Sequence, residues 1–388
     1  MRCATSSMRA LGILLIAAFA LAQIAGQLLR VVEMPRTVAG LLTETDPPPG
    51  FETALEPRAF DFPSDHAAHP RYRSEWWYFT GNVNDETGAS FGFQLTLFRF
   101  ALRPTPSESR SPWRRSNIFL GHFAVSDVDV NAFHNFERQS RPALDLAGAK
   151  GGATDGHAPK IWLRDWVIEL IDTEKEIWRL QARESDVSIA LELTALRPIA
   201  AQGNGGLSKK STEPGNASYY YSIPRLAVTG SIETPSNRHK VHGRAWFDHE
   251  WSTSALADGQ LGWDWFSLQL GNGTDIMFYQ IRNANGQTDA ASHGVLLPKQ
   301  RGRTVLNPED IQVAVTRRWQ SPSSGVRYPA AWEILVPSQN IALTVIPKLP
   351  HQEWNKNFTY WEGAVEVNGT AAGEVVNGEG YVELVGYE

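Results

Sequence analysis

From about residue 57 onward, apolar and polar residues alternate in short stretches separated by Gly, Asn and Asp. A period of two places alternate side chains on opposite faces of a strand. Phe91–Phe98 is one such strand, and Asp264–Leu270, the turn Gly271-Asn272-Gly273 and Ile276–Ile281 form a hairpin. Trp162–Leu170 with Ile177–Arg183 reads as a second hairpin. Arg103–Ser116 and the Gly-, Ser- and Lys-containing stretch Ala201–Asn216 read as surface loops. Helix signals are few; Pro308-Glu309-Asp310 is expected to open one short turn. The pattern predicts an all-β chain.

The pattern also repeats. Trp77-Tyr78-Phe79-Thr80-Gly81-Asn82-Val83, a turn and a strand closing on Phe98-Arg99 match Trp265 to Leu270, a turn and a strand closing on Ile281-Arg282. The ends match as well: Val241-x-Gly243-x-Ala245-Trp246-Phe247 against Val376-x-Gly378-x-Gly380-Tyr381-Val382, preceded by Gly230-Ser231-Ile232 and Gly363-Ala364-Val365. Matching starts and ends imply two tandem β-domains, over 57–247 and 248–388. Two copies are too few for a solenoid, so each is expected to close its own sheet.

The first thirty residues carry Arg2 and Arg9, an apolar run from Ala10 to about Ala22, and Ala20-Leu21-Ala22 as a cleavage site. This predicts a signal peptide, with an uncleaved anchor as the alternative, followed by a linker over 31–56. The expected location is periplasmic or secreted, with attachment to the inner membrane if the anchor is kept. The single cysteine, Cys3, precedes the apolar run, so the mature chain has no disulfide and no thiolate chemistry. With 42 acidic against 36 basic residues and no basic stripe, nucleic acid is not an expected partner. An apolar small molecule is.

Fourteen tryptophans decide what kind of molecule. Many sit beside acids, in Glu75-Trp76-Trp77-Tyr78, in Trp246-Phe247-Asp248-His249-Glu250-Trp251 and in Trp263-Asp264-Trp265-Phe266. An aromatic wall receives flat apolar ligands, stabilises a cation by its ring faces and makes a carboxyl hold its proton. Trp76, Trp77, Trp246, Trp263, Trp265 and His122 are accordingly candidate ligand-binding residues. Asp264 is a candidate acid, although in a strand it points away from the face that Trp263 and Trp265 share; a structural hydrogen-bonding role is the alternative. His249 between Asp248 and Glu250 is either a general base or part of a cluster pinning two domains. Glu75 is expected to pair with a nearby arginine, Arg73 or Arg71. His66 and His69 lie on a loop with no third ligand marked nearby, and no metal or other cofactor is expected. No Gly-x-Ser-x-Gly elbow, phosphate loop, dinucleotide fingerprint or His-Glu-x-x-His helix occurs.

Several strings together resemble the lipocalin-like AttH family, which includes the carotenoid 1,2-hydratases. They are Pro63 to Pro70 with Glu75-Trp76-Trp77-Tyr78, Gly121 to Asp127, Trp246 to Ser252, Gly262 to Phe266, Tyr360 to Val365 and Gly380 to Leu384. The resemblance implies two lipocalin-like β-barrels. It also implies a catalytic role for the pair His249-x-Trp251 and for Tyr279; the hydratases' later Asp has no counterpart among Gln280, Ile281 and Arg282. The expected function is binding of an elongated apolar ligand, a carotenoid or lipid, with water addition to an isoprenoid double bond by a hydro-lyase. A non-catalytic lipid carrier is the alternative, and a secreted hydrolase or glycan binder a weaker one.

Overall fold

The computed structural model describes residues 49–104, 117–152, 157–254, 256–300, 302–357 and 359–388. The N-terminal segment expected to be a signal peptide or anchor and most of the expected linker lie outside these residues, as does most of the Arg103–Ser116 stretch. Among the described residues the regular secondary structure is nearly all strand and forms two barrel-like antiparallel sheets. The predicted all-β architecture of two barrels is what the chain adopts.

In the first sheet the central strand Ser74–Asp85 lies between Ser90–Ala101 and Arg238–Ser252. In the second, Gln260–Leu270 lies between Asp275–Asn283 and Glu374–Val385. Each sheet therefore pairs its first strand with its last, which is why the repeat shows matching starts and matching ends. The glycine equivalence differs from the one expected. Gly230 stands opposite Val241, and the residue opposite Val376 is Gly369, not Gly363. Gly230 and Gly369 have φ of 148° and 157°, and a Cβ on either would lie about 2 Å from a carbonyl of the adjoining strand. Only glycine fits there.

The strand Arg238–Ser252 runs straight through position 248, and the chain changes sheet only between Ser252 and Gln260. The expected boundary at 247/248 therefore shifts by several residues, because the whole acidic–aromatic string pairs with Ser74–Asp85. Two local expectations also change. Trp162–Leu170 is two strands, Lys160–Leu163 and Trp166–Asp172, turning at Arg164 with φ 57°. The stretch read as a surface loop contains the strand Leu207–Lys209, paired to Ala217–Tyr219, and buries Ser208 completely. Pro308–Asp310 does form a turn, closed by the Asp310 N–H donating to the Asn307 carbonyl.

Each sheet encloses its own apolar core, one built on Trp77, Phe79, Trp178, Phe247 and Trp251, the other on Phe266, Trp332, Trp361 and Val382. The outer faces of the two sheets then meet in further apolar clusters, including Tyr78, Trp246, Trp265 and Tyr279 in one and Leu120, Trp354 and Tyr360 in the other. Strands buried on both faces lose the polar half of their alternation. Polar ties fix this contact: Arg225 and Arg197 both pair with the buried Asp275 at 3.0 Å, and Gln269 donates to the carbonyls of Pro224 and Ala245 at 2.8 Å.

Candidate active site

Strand alternation sorts the aromatic–acidic strings into two sites. Register places Trp76, Glu250 and Tyr220 in one cross-strand row and Tyr78, Asp248 and Ser222 in another. Opposite partners share a face, so all six point away from the first core towards the second sheet. The second sheet answers with Trp265, Tyr279, Glu383 and Glu362 in one row, beside Trp263 and Ile281. Between them lies a cavity walled mainly by aromatic side chains. Its walls include Trp76, Tyr78, Phe98, Phe100, Tyr220, Trp263, Trp265, Tyr279 and Tyr360, with Asp248, Glu250, Glu383 and Lys210 as the charged members.

The acids in this wall differ in state. Glu383 has one carboxyl oxygen held by the indole N–H of Trp263 at 2.6 Å. Burial, reinforced by the charges of Asp248 and Glu250, pushes its carboxyl up to about 7, so it is largely protonated below neutral pH. Asp248 is also pushed up to about 7 by burial, but its oxygens are occupied by three donors: Tyr220 Oη and Trp246 Nε1 at 2.7 Å and Ser222 Oγ at 2.5 Å. Glu250 pairs with Lys210 Nζ at 2.9 Å. Burial works against the Lys210 charge, yet Glu250 and Tyr279 hold its pKa above the usual lysine value. Lys210 also sits 4.4 Å over the Tyr279 ring, whose hydroxyl bonds to Ser208 at 2.9 Å and His293 Nδ1 at 2.8 Å.

The other face of the same strands forms a different cluster. His249, Trp77 and Tyr221 share a row pointing into the first barrel. His249 Nε2 meets Glu75 Oε1 at 3.0 Å and its Nδ1 meets the Tyr221 hydroxyl at 2.9 Å. Burial pushes the imidazole down to about 4, against the pull of Glu75. Glu75 is fully buried, yet Arg99 at 2.8 Å, His69 and His249 hold its pKa well below the usual carboxylate range. His69 bonds to Glu75 Oε1 at 2.7 Å and to Asp65 at 3.1 Å, and stacks on Trp251 at 3.6 Å. His69, Glu75 and His249 bring three ligand-type atoms within 4.8 Å of one another. This is the set among the described residues with the donors for a cation; here both imidazoles bond to Glu75 Oε1.

Of the residues expected to bind ligand, Trp76, Trp263 and Trp265 line the cavity. Trp77 does not, because it stacks on His249 inside the barrel at 4.9 Å. Trp246 stands behind Asp248, and His122 stands behind Tyr360. Of the residues expected to be catalytic, Tyr279 lines the cavity, whereas His249 and Trp251 belong to the first core. Asp264 also lies off the cavity, on the opposite strand face to Trp263 and Trp265, bonded to Arg282 at 2.9 Å and to the Tyr387 hydroxyl at 3.0 Å. Glu75 pairs with Arg99 from the adjacent strand in place of Arg73. Glu383, Lys210 and Tyr360 were not selected from sequence. Glu383 lies in Gly380-Tyr381-Val382-Glu383-Leu384, where alternation after Trp265 was the available signal.

A family model described as AttH-like matches residues 53–387. The chain belongs to that family. A crystal structure assigned to AttH from Nitrosomonas europaea superposes with a TM-score of 0.76 at 32% identity, covering 87% of this chain and 99% of that one. Kievitone hydratase from Fusarium solani subsp. phaseoli is 23% identical over 55% of this chain and 61% of its own length, so the match spans about three fifths of that relative. A dehydratase from Emericella nidulans is 23% identical over 68% of this chain and 80% of its own. This AttH-like chain thus shares its family's two-barrel fold and has a hydratase and a dehydratase among its relatives.

Proposed function

We propose that the inter-barrel cavity takes a flat, elongated apolar molecule and adds water to, or removes it from, one of its carbon–carbon bonds. The observation that carries this reading is Glu383, a carboxyl protonated close to neutral pH within an aromatic wall. Its proton passes to one alkene carbon, and the faces of Trp76, Trp263 and Trp265 stabilise the positive charge that develops on the other. Water adds to that carbon, and its surplus proton goes to the carboxylate of Glu250, which Lys210 keeps in place. Elimination runs the same steps backwards. The names of the hydratase and dehydratase relatives agree with chemistry in either direction. A polyene or other isoprenoid suits the aromatic character of the wall, and the N-terminal apolar segment is the ground for placing the activity outside the cytoplasm.

The test is incubation of the purified protein with an acyclic carotenoid, followed by extraction and mass spectrometry. A product heavier by one water supports the reading. Ligand recovered unchanged, from a cavity whose tryptophans it quenches, would replace it with carriage. That second reading is favoured by the cavity's largely apolar wall, which binds such a molecule without any proton transfer.

A further inference from the structure

Behind one wall of the cavity stands a carboxylate–imidazole–hydroxyl series. Register sets Tyr78, Thr96, His122 and Glu137 in one cross-strand row of the first sheet, so His122 and Glu137 share the face turned to the second sheet. There His122 Nδ1 lies 2.7 Å from the hydroxyl of Tyr360, and its Nε2 lies 3.4 Å from Glu137 Oε2. His122 is fully buried, stacked on Trp354 at 4.5 Å, and Asn357 donates to the other oxygen of Glu137. Tyr360 closes the series on the cavity, where Gln94 Nε2 donates to its oxygen at 3.3 Å.

We propose that Tyr360 is a catalytic residue of this cavity, a general base driven by the Glu137–His122 pair behind it. The inference rests on the cavity being the reaction site, but supplies a proton acceptor on the wall opposite Glu250. As the Tyr360 oxygen takes a proton from a bound hydroxyl or an acidic C–H, its own proton passes to Nδ1 of His122. The imidazolium so formed faces Glu137, and Tyr360 ends the step neutral. Burial favours neutral His122, the form that accepts. The cavity's other Tyr–His pair, Tyr279–His293, is built differently. Among the described residues no carboxylate stands at ion-pair distance from His293, where Glu137 lies 3.4 Å from His122, and burial with the Lys210 and Arg303 charges pushes the His293 imidazole down to about 3.

The test needs no substrate. Benzenesulfonyl fluoride is added to the full chain and the modified tyrosines are located by peptide mass spectrometry; the phenol oxygen bonds to sulfur, fluoride leaves and the phenol proton goes to the base. Tyr360 should react faster than Tyr279 and Tyr220. Its rate should fall at least tenfold in His122→Asn and severalfold in Glu137→Gln, with labelling of the other tyrosines unchanged. Glu137→Gln alters only the outer member of the series and serves if His122→Asn does not fold. Unmodified Tyr360, or a rate indifferent to both substitutions, overturns the proposal. Labelling as expected with no turnover of a carotenoid would separate the failure of the hydration reading from the failure of this one.

Discussion

Asp248 and His249 are adjacent in the chain and belong to different sites. Asp248 faces the cavity between the sheets, and His249 faces the core of the first barrel, bonded to Glu75 and Tyr221. One strand thus carries the polar wall of the inter-barrel cavity on one side and the polar interior of a barrel on the other.

His249→Ala is therefore expected to act on stability. It removes two buried hydrogen bonds and leaves Tyr221 and Glu75 with vacated partners, costing about 2–4 kcal/mol. Thermal denaturation should show the loss, while quenching of cavity tryptophans by an apolar ligand persists in the protein that remains folded.

Glu383→Gln keeps the shape and the bond from Trp263 but has no acidic proton. Turnover should fall by about 100-fold or more, with ligand affinity nearly unchanged. In the unaltered protein, turnover should decline as pH rises through about 7, as Glu383 gives up its proton. A rate indifferent to pH over this range would move the acid elsewhere.

Asp264→Asn gives the opposite result. The side chain lies off the cavity, bonded to Arg282 and Tyr387, so turnover should stay at its original level while stability drops by about 1–3 kcal/mol. Loss of turnover with intact folding would restore Asp264 as the acid.

Lys210→Met removes the cation that offsets Glu250. Leaving one member of a buried pair without its partner costs about 3 kcal/mol. Differential scanning calorimetry measures this, and Lys210→Met with Glu250→Gln should recover part of it.

Stability should itself depend on pH with a definite sign. Glu383 and Asp248 hold their protons to about 7 when folded, but release them near the ordinary value of about 4 when unfolded. Through these two carboxyls the folded state binds more protons between these limits, so their contribution to stability falls as pH rises and levels off above 7, while His249 and His293, held down to about 4 and about 3, act with the opposite sign up to about 6.5. Asp65, held down to about 2 mainly against burial by His69 and Arg58, is ionised in both states across this window and does not change the slope. The Glu383 contribution is read as a difference: between about pH 4 and 7 the melting temperature of the native chain should fall relative to that of Glu383→Gln.

Alternation and the Trp-rich strings were enough to read the β class, the duplication and three of the cavity's tryptophans. Alternation also separated Asp264 from its tryptophan neighbours, correctly. The same rule applied to Trp246–Trp251 separates His249 from Asp248 and Glu250, but a histidine between two acids reads as one group when its strand is not yet placed. Arg99 as the partner of Glu75 depends on strand register, which neighbouring residues do not encode. Lys210 was hidden by composition: its Gly- and Ser-rich surroundings look solvated, and only the second sheet, arriving with Tyr279, makes the site a wall.

Each barrel holds an apolar core of its own side chains, and the cavity lies between the two sheets. Binding specificity can therefore drift by exchange of residues on the outward rows while the inward rows keep the fold. A lineage built on this plan is free to change its substrate repeatedly without re-solving the folding problem.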